Sequence, residues 1–87
     1  KQMNSFTNQM MVMKNLVAKG EVTGTSVVNV RHGPGTRAGI DGRQIRGARG
    51  YVIEGPLFAD GYWWWGISYD SGVRGWSAEN YLARVSL

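Results

Sequence analysis

Residues that could perform covalent or acid–base chemistry are few in this 87-residue chain and lie apart from one another. There is no cysteine, and His32 is the one histidine; the six acidic residues occur singly. Asp41, Asp60 and Asp70 each stand next to Gly or Ser-Gly, in turn sequences where Asp is expected for backbone reasons. No Ser-His-acid or paired-carboxylate arrangement can be recognised. We therefore predict a protein that is not an enzyme and that has neither a metal site nor a cofactor.

The consecutive residues Trp63, Trp64 and Trp65 point to binding rather than to catalysis. Three Trp in a row exceed what a core of this size requires, so they either cover the ends of a small barrel or offer an exposed aromatic platform to a ligand or partner. In an extended strand, Trp65 and Ile67 share one side with the apolar series. Trp64 then stands on the opposite face, where a barrel this small is not expected to bury it fully.

Arginine in the Gly-rich stretch GRQIRGARG (42–50) raises the question of nucleic-acid binding, because such side chains can reach phosphates. However, residues 21–87 carry seven Arg against six acidic residues, and the excess positive charge comes from three Lys within residues 1–20. A nearly neutral domain argues against a polyanion partner, so we interpret the stretch as a solvated loop. No apolar run approaches the roughly 20 residues that a membrane-spanning helix needs.

From Glu21 onward the apolar residues recur with the period of two that is typical of strands. The predicted strands lie around Val22 and at residues 28–30, Tyr51–Ile53, Tyr62–Tyr69, Val73–Ser77 and Leu82–Val85. One of the two Val at 28–30 is expected to face the core, and Gly55-Pro56 is expected to end the strand Tyr51–Ile53. Turns are predicted at Asp60-Gly61 and at 70–72, and a helical turn at 78–81. Five to seven short strands joined by tight turns predict an all-β fold, a small partly open barrel over residues 21–87.

Residues 1–20 read as a separate N-terminal segment, either a short helix or an extended leader. Its large apolar residues are spaced 3, 4, 3, 4, which places them on one stripe of a helix. They are Met3, Phe6, Met10, Met13 and Val17. The segment could drape over the β domain or serve as a linker; alternatively, the stripe docks onto a partner or onto a second copy of the chain, making a homo-oligomer.

Several short motifs occur in the β region: Asn29-Val30-Arg31 followed by Gly33-Pro34, the aromatic strand before the 70–72 turn, Gly75-Trp76 and the closing Tyr81-Leu82. Over roughly residues 22–85 these motifs resemble the bacterial SH3-like (SH3b-type) domain family. The resemblance implies an SH3-like barrel. Its predicted core is Val30, Ile45, Val52, Trp65, Ile67 and Leu82. The stretch RGARG departs from the family pattern by lengthening a central loop.

SH3b-type domains recur as non-catalytic attachment modules in cell-wall hydrolases and envelope proteins. The resemblance therefore implies a binding or targeting module in an extracellular or cell-envelope location that recognises peptidoglycan peptides or a protein partner. Its groove would lie between the loop of residues 31–39 and the aromatic strand. The predicted ligand-binding residues are Asn29, Arg31, Tyr62, Trp64 and Tyr81. From its own side-chain chemistry Asn29 is predicted to make a turn-stabilising hydrogen bond, and the ligand-binding role follows from the resemblance.

The alternative function is a structural or adaptor subunit of a larger assembly, such as a virion, a filament or an envelope complex. In that case the barrel and residues 1–20 would make protein–protein contacts. The N-terminal stripe discriminates between the two functions, because a bare wall-targeting module does not need it.

Overall fold

Seven strands and one 3-10 helix make up most of residues 20–85, the part of the chain that the computed structural model describes. The elements are β1 (Glu21–Gly24), β2 (Val28–Arg31), β3 (Ile40–Gln44), β4 (Arg49–Ala59), β5 (Tyr62–Tyr69), β6 (Arg74–Ala78), the 3-10 helix (Glu79–Tyr81) and β7 (Leu82–Arg84). The predicted docking residues Met3, Phe6, Met10, Met13 and Val17 lie outside the described residues. Within 20–85 no helix has the length and apolar character needed to cross a membrane.

The strands form one sheet in the order β3-β2-β6-β5-β4-β1-β7, and every neighbouring pair is antiparallel. The predicted all-β class and strand number are confirmed. The sheet stays open, because β3 and β7 pair on one side only among the described strands. The Asp60-Gly61 hairpin joins β4 to β5, and both of its residues have positive φ, as a tight hairpin turn requires.

Strand β4 runs through Gly55-Pro56, so the prediction that this dipeptide ends the strand is wrong. The pairing of β4 with β5 shifts register between Val52 and Glu54 and again between Glu54 and Leu57, then resumes at Leu57↔Trp64. Gly55 has a φ of 98°, and a Cβ there would lie 2.8 Å from the Trp64 carbonyl oxygen. Register shifts of this kind accommodate a proline, which has no backbone N–H to donate, without ending the pairing of β4 with β5.

The core lies on one face of the sheet. It consists of Val22, Val28, Val30, Val52, Trp65, Ile67, Tyr69 and Leu82. Five of the six predicted core residues are buried, but the prediction for Ile45 is wrong because that side chain is 76% exposed. β3 ends at Gln44, so Ile45 lies in the turn that follows the strand. The prediction that only one of Val28 and Val30 faces the core is wrong. Both side chains are fully buried, because residues i and i+2 of a strand share a face.

Candidate functional site

A cavity of about 90 Å³ lies at the end of β2, between the loop of residues 32–39, the β4–β5 hairpin and the 3-10 helix. Its lining consists of Asn29, Arg31, Thr36, Tyr62, Trp64, Ala78 and Tyr81. All five residues predicted from sequence to bind a ligand are among them. They come from three separate segments, which the neighbouring strands β2, β6 and β5 bring together. The structure thus assembles the predicted groove residues around one cavity.

Trp64 forms a buried wall of this cavity and is only 3% exposed, so the expectation of partial exposure is wrong. Its indole Nε1 donates a 2.8 Å hydrogen bond to the carbonyl oxygen of Ala59 on the adjacent strand β4. The ring of Tyr62 meets it edge-on, with ring centroids 6.0 Å apart. Because the polar N–H is satisfied inside the protein, the indole can be buried on this face without an orphaned donor.

The loop of residues 32–39 is held from two sides. Arg31 Nη1 donates to the carbonyl oxygens of Thr36 at 3.2 Å and Ala38 at 2.7 Å. From the β4–β5 hairpin, Asp60 Oδ2 accepts hydrogen bonds from the backbone N–H and the hydroxyl of Thr36, at 2.8 and 3.2 Å. Asp60 was predicted only as a turn residue. Its second role, fixing the loop beside the cavity, joins residues 24 positions apart and has no local sequence signal.

A buried chain of two hydrogen bonds, through Ser77, holds the backbone carbonyl of Asn29. Ser77 Oγ donates to the Asn29 carbonyl oxygen at 3.0 Å and lies 2.8 Å from the Tyr69 hydroxyl. Since a serine hydroxyl has one proton, the tyrosine must be the donor of the second bond. Burial raises the pKa of Tyr69 above 10.0, although the Ser77 hydrogen bond opposes that shift. The chain links β5, β6 and β2 and fixes the backbone on which the Asn29 side chain stands.

The polar groups around the cavity are largely uncommitted. Within the described residues, no hydrogen bond engages the Asn29 side-chain amide or the hydroxyls of Tyr62 and Tyr81. The turn-stabilising role considered for Asn29 is therefore not the one its side chain plays here. The lining offers an amide, two phenols and a guanidinium beside aromatic surfaces, and it contains no His, Asp or Glu. Such a set suits hydrogen bonding and packing against a ligand.

The arginine-rich stretch 42–50 lies elsewhere, at the end of β3, in an exposed turn and at the start of β4. Arg43, Arg46 and Arg49 are exposed, and Arg49 Nη1 lies 3.8 Å from a Glu21 carboxylate oxygen. His32 is also exposed, 3.4 Å from Asp41. In the described part of the chain, no three His, Cys, Asp or Glu side chains are grouped so that they could hold a metal ion.

Comparison with known proteins gives no relative. The chain matches no protein-family model, and neither the curated proteins nor the solved structures yield a significant match. The resemblance to the SH3b-type family therefore stays a prediction that rests on the sequence motifs alone.

Proposed function

We propose that this chain is a non-catalytic binding module of SH3-like type in the bacterial cell envelope, and that its cavity takes a short wall peptide such as one from peptidoglycan. One observation carries the proposal: the five residues predicted to bind a ligand surround a single cavity, and the side-chain amide of Asn29 and the hydroxyls of Tyr62 and Tyr81 have no hydrogen bond among the described residues.

The size and lining of the cavity favour a ligand with small side chains. An engineered apolar cavity of about 150 Å³ holds benzene, and this one is about 90 Å³. Gly- or Ala-rich peptides have little side-chain surface, so aromatic walls and hydrogen bonds to the peptide backbone must supply most of the contact. Tyr62, Trp64 and Tyr81 are such walls, and Asn29 can both donate to and accept from a peptide group.

Close strand contacts support the SH3-like part of the proposal. A Cβ on Gly75, in the Gly-Trp pair that matches the family, would lie 2.6 Å from the carbonyl oxygen of Arg31. Only glycine lets β6 approach β2 this closely, and β2 carries the Asn-Val-Arg motif. The glycine of the Gly-Trp motif is thus required by its contact with the strand that carries the Asn-Val-Arg motif.

Retention on purified peptidoglycan tests the proposal. Tyr81 and Tyr51 make a matched pair, because they are 43% and 44% exposed and only Tyr81 lines the cavity. We expect Tyr81→Ala to lose most retention and Tyr51→Ala to keep it. Trp64 is a poor target for this purpose, because truncating a buried indole would also destabilise the fold. Failure of the unmodified protein to bind, or equal retention of both variants, would refute the proposal.

An adaptor subunit is the second candidate function, and one exposed apolar pair favours it. Val28 faces Gln44 across β2 and β3, so the register places Val27 opposite Ile45. These two side chains are 61% and 76% exposed at the corner of the sheet. Replacing both with Ser should lower the mass measured by light scattering if the corner is a protein–protein contact; an unchanged mass would remove this support.

A further inference from the structure

Arg31 is the one charged side chain in the lining of the cavity, and its hydrogen bonds leave one edge of the guanidinium unused. Both described bonds come from Nη1, to the carbonyl oxygens of Thr36 and Ala38. Nη1 carries two N–H groups, so these two carbonyls account for it. The Nε–H and the N–H groups of Nη2 have no partner among the described residues.

The charge of Arg31 is likewise uncompensated. No ion pair within 4.0 Å joins Arg31 to a carboxylate among residues 20–85. Asp60, on the hairpin next to the cavity, instead uses its Oδ2 for two hydrogen bonds from Thr36. Backbone carbonyls hold the guanidinium in place but do not neutralise it, so the cavity has a fixed, half-buried positive charge.

The geometry points to a carboxylate as the group that occupies this edge: we infer that the ligand is a short peptide or amino acid whose free carboxylate pairs side-on with Nε and Nη2 of Arg31. Two parallel N–H groups match the two oxygens of a carboxylate, and charge-assisted bonds of this kind are the strong ones. Because the two carbonyl bonds restrict the rotation of the guanidinium, little conformational freedom is lost on binding. The inference rests on the proposed peptide-binding function and specifies which end of the peptide is read.

Two probes that differ in one group test the inference on the unmodified protein. N-acetyl-trialanine with a free C-terminal carboxylate and its C-terminal amide have the same side chains and backbone. Isothermal titration should give a Kd for the acid about 10-fold to 100-fold lower than for the amide, as expected for one charge-assisted bidentate contact. Added salt should reduce this difference, because the half-buried charge is partly screened.

Variants of Arg31 identify the residue responsible. Arg31→Gln should abolish the preference for the acid, whereas Arg43→Gln, which removes an exposed arginine outside the cavity, should preserve it. Arg31→Lys keeps the charge without the two-pronged geometry and should retain only part of the preference. Because Arg31 also holds the loop, thermal melts of each variant accompany the titrations.

Equal affinity for acid and amide, or no binding of either, would overturn the carboxylate assignment. Retention on peptidoglycan is measured separately and decides the proposed function by itself. A protein that is retained on peptidoglycan but binds the two trialanine forms equally would keep the function and lose the inference. A preference for the acid that survives Arg31→Gln while the loop stays folded would place the carboxylate elsewhere and overturn the assignment as well.

Discussion

Removing the Ser77 hydroxyl should reveal how strongly the buried hydrogen-bond chain stabilises the sheet beneath the cavity. Ser77 is fully buried, donates to the Asn29 carbonyl and accepts from the Tyr69 hydroxyl. Ser77→Ala leaves the phenol of Tyr69 without its acceptor, and an orphaned buried polar group costs about 1–3 kcal/mol. The Asn29 carbonyl oxygen has a second lone pair, so losing the hydrogen bond from Ser77 costs less at Asn29 than the missing acceptor costs at Tyr69. We expect about 2 kcal/mol of destabilisation in total.

A double-mutant cycle with Tyr69→Phe separates the two bonds. Tyr69→Phe alone should cost about 1 kcal/mol, because Ser77 keeps its donation to Asn29 and only one hydrogen bond disappears. In the double variant no phenol is left without an acceptor, so the loss should be smaller than that of Ser77→Ala alone, about 1 kcal/mol. The expected coupling energy between the two positions therefore has a magnitude of about 2 kcal/mol.

Urea unfolding followed by tryptophan fluorescence provides the free energies, with the m-value checked for each variant. Ser26→Ala is the matched control, since the Ser26 hydroxyl makes only a 3.2 Å bond to the adjacent Val27 carbonyl in an exposed position. It should change stability by less than about 0.5 kcal/mol. Additive losses at Ser77 and Tyr69, or a Ser77→Ala variant as stable as the control, would refute the assigned donor and acceptor roles.

Three further predictions concern the core, the strand contact beside the cavity, and pH. Ile67→Ala should destabilise by about 2–5 kcal/mol in the same urea assay, because the side chain is fully buried, while Ile45→Ala should change little because that residue is exposed. Gly75→Ala should lower the melting temperature in calorimetry, since the new Cβ would lie 2.6 Å from the backbone oxygen of Arg31; an unchanged melt would contradict the close approach. The raised pKa of Tyr69 means that its stabilising contribution is complete below pH 10, and is lost above it, because the unfolded tyrosine ionises first there. Urea titrations at several pH values should therefore show stability falling more steeply above about pH 10 in the unmodified protein than in Tyr69→Phe.

The sequence by itself determined the features that local chemistry controls. Alternation of apolar residues gave the β class, and Asp-Gly placed the β4–β5 turn, because a tight hairpin needs positive φ. The side-chain period of two also put Asn29 and Arg31 on the face opposite Val28 and Val30. That periodicity accounts for Asn29 and Arg31, whereas Tyr62, Trp64 and Tyr81 were predicted from the family resemblance.

Only the tertiary structure decided what depends on partners far along the chain. Ile45 and Val52 look alike in sequence, yet Ile45 is exposed because β3 ends one residue before it. Trp64 can be buried without an orphaned donor because the Ala59 carbonyl accepts its N–H across the hairpin, and no local rule predicts that bond. Strand pairing of β2 with β6 and β5 with β6 brings residues 29 to 81 around one cavity. Long-range pairing, unlike periodicity, depends on the whole chain, and so the sequence indicated residues that line the cavity while the fold decided their geometry.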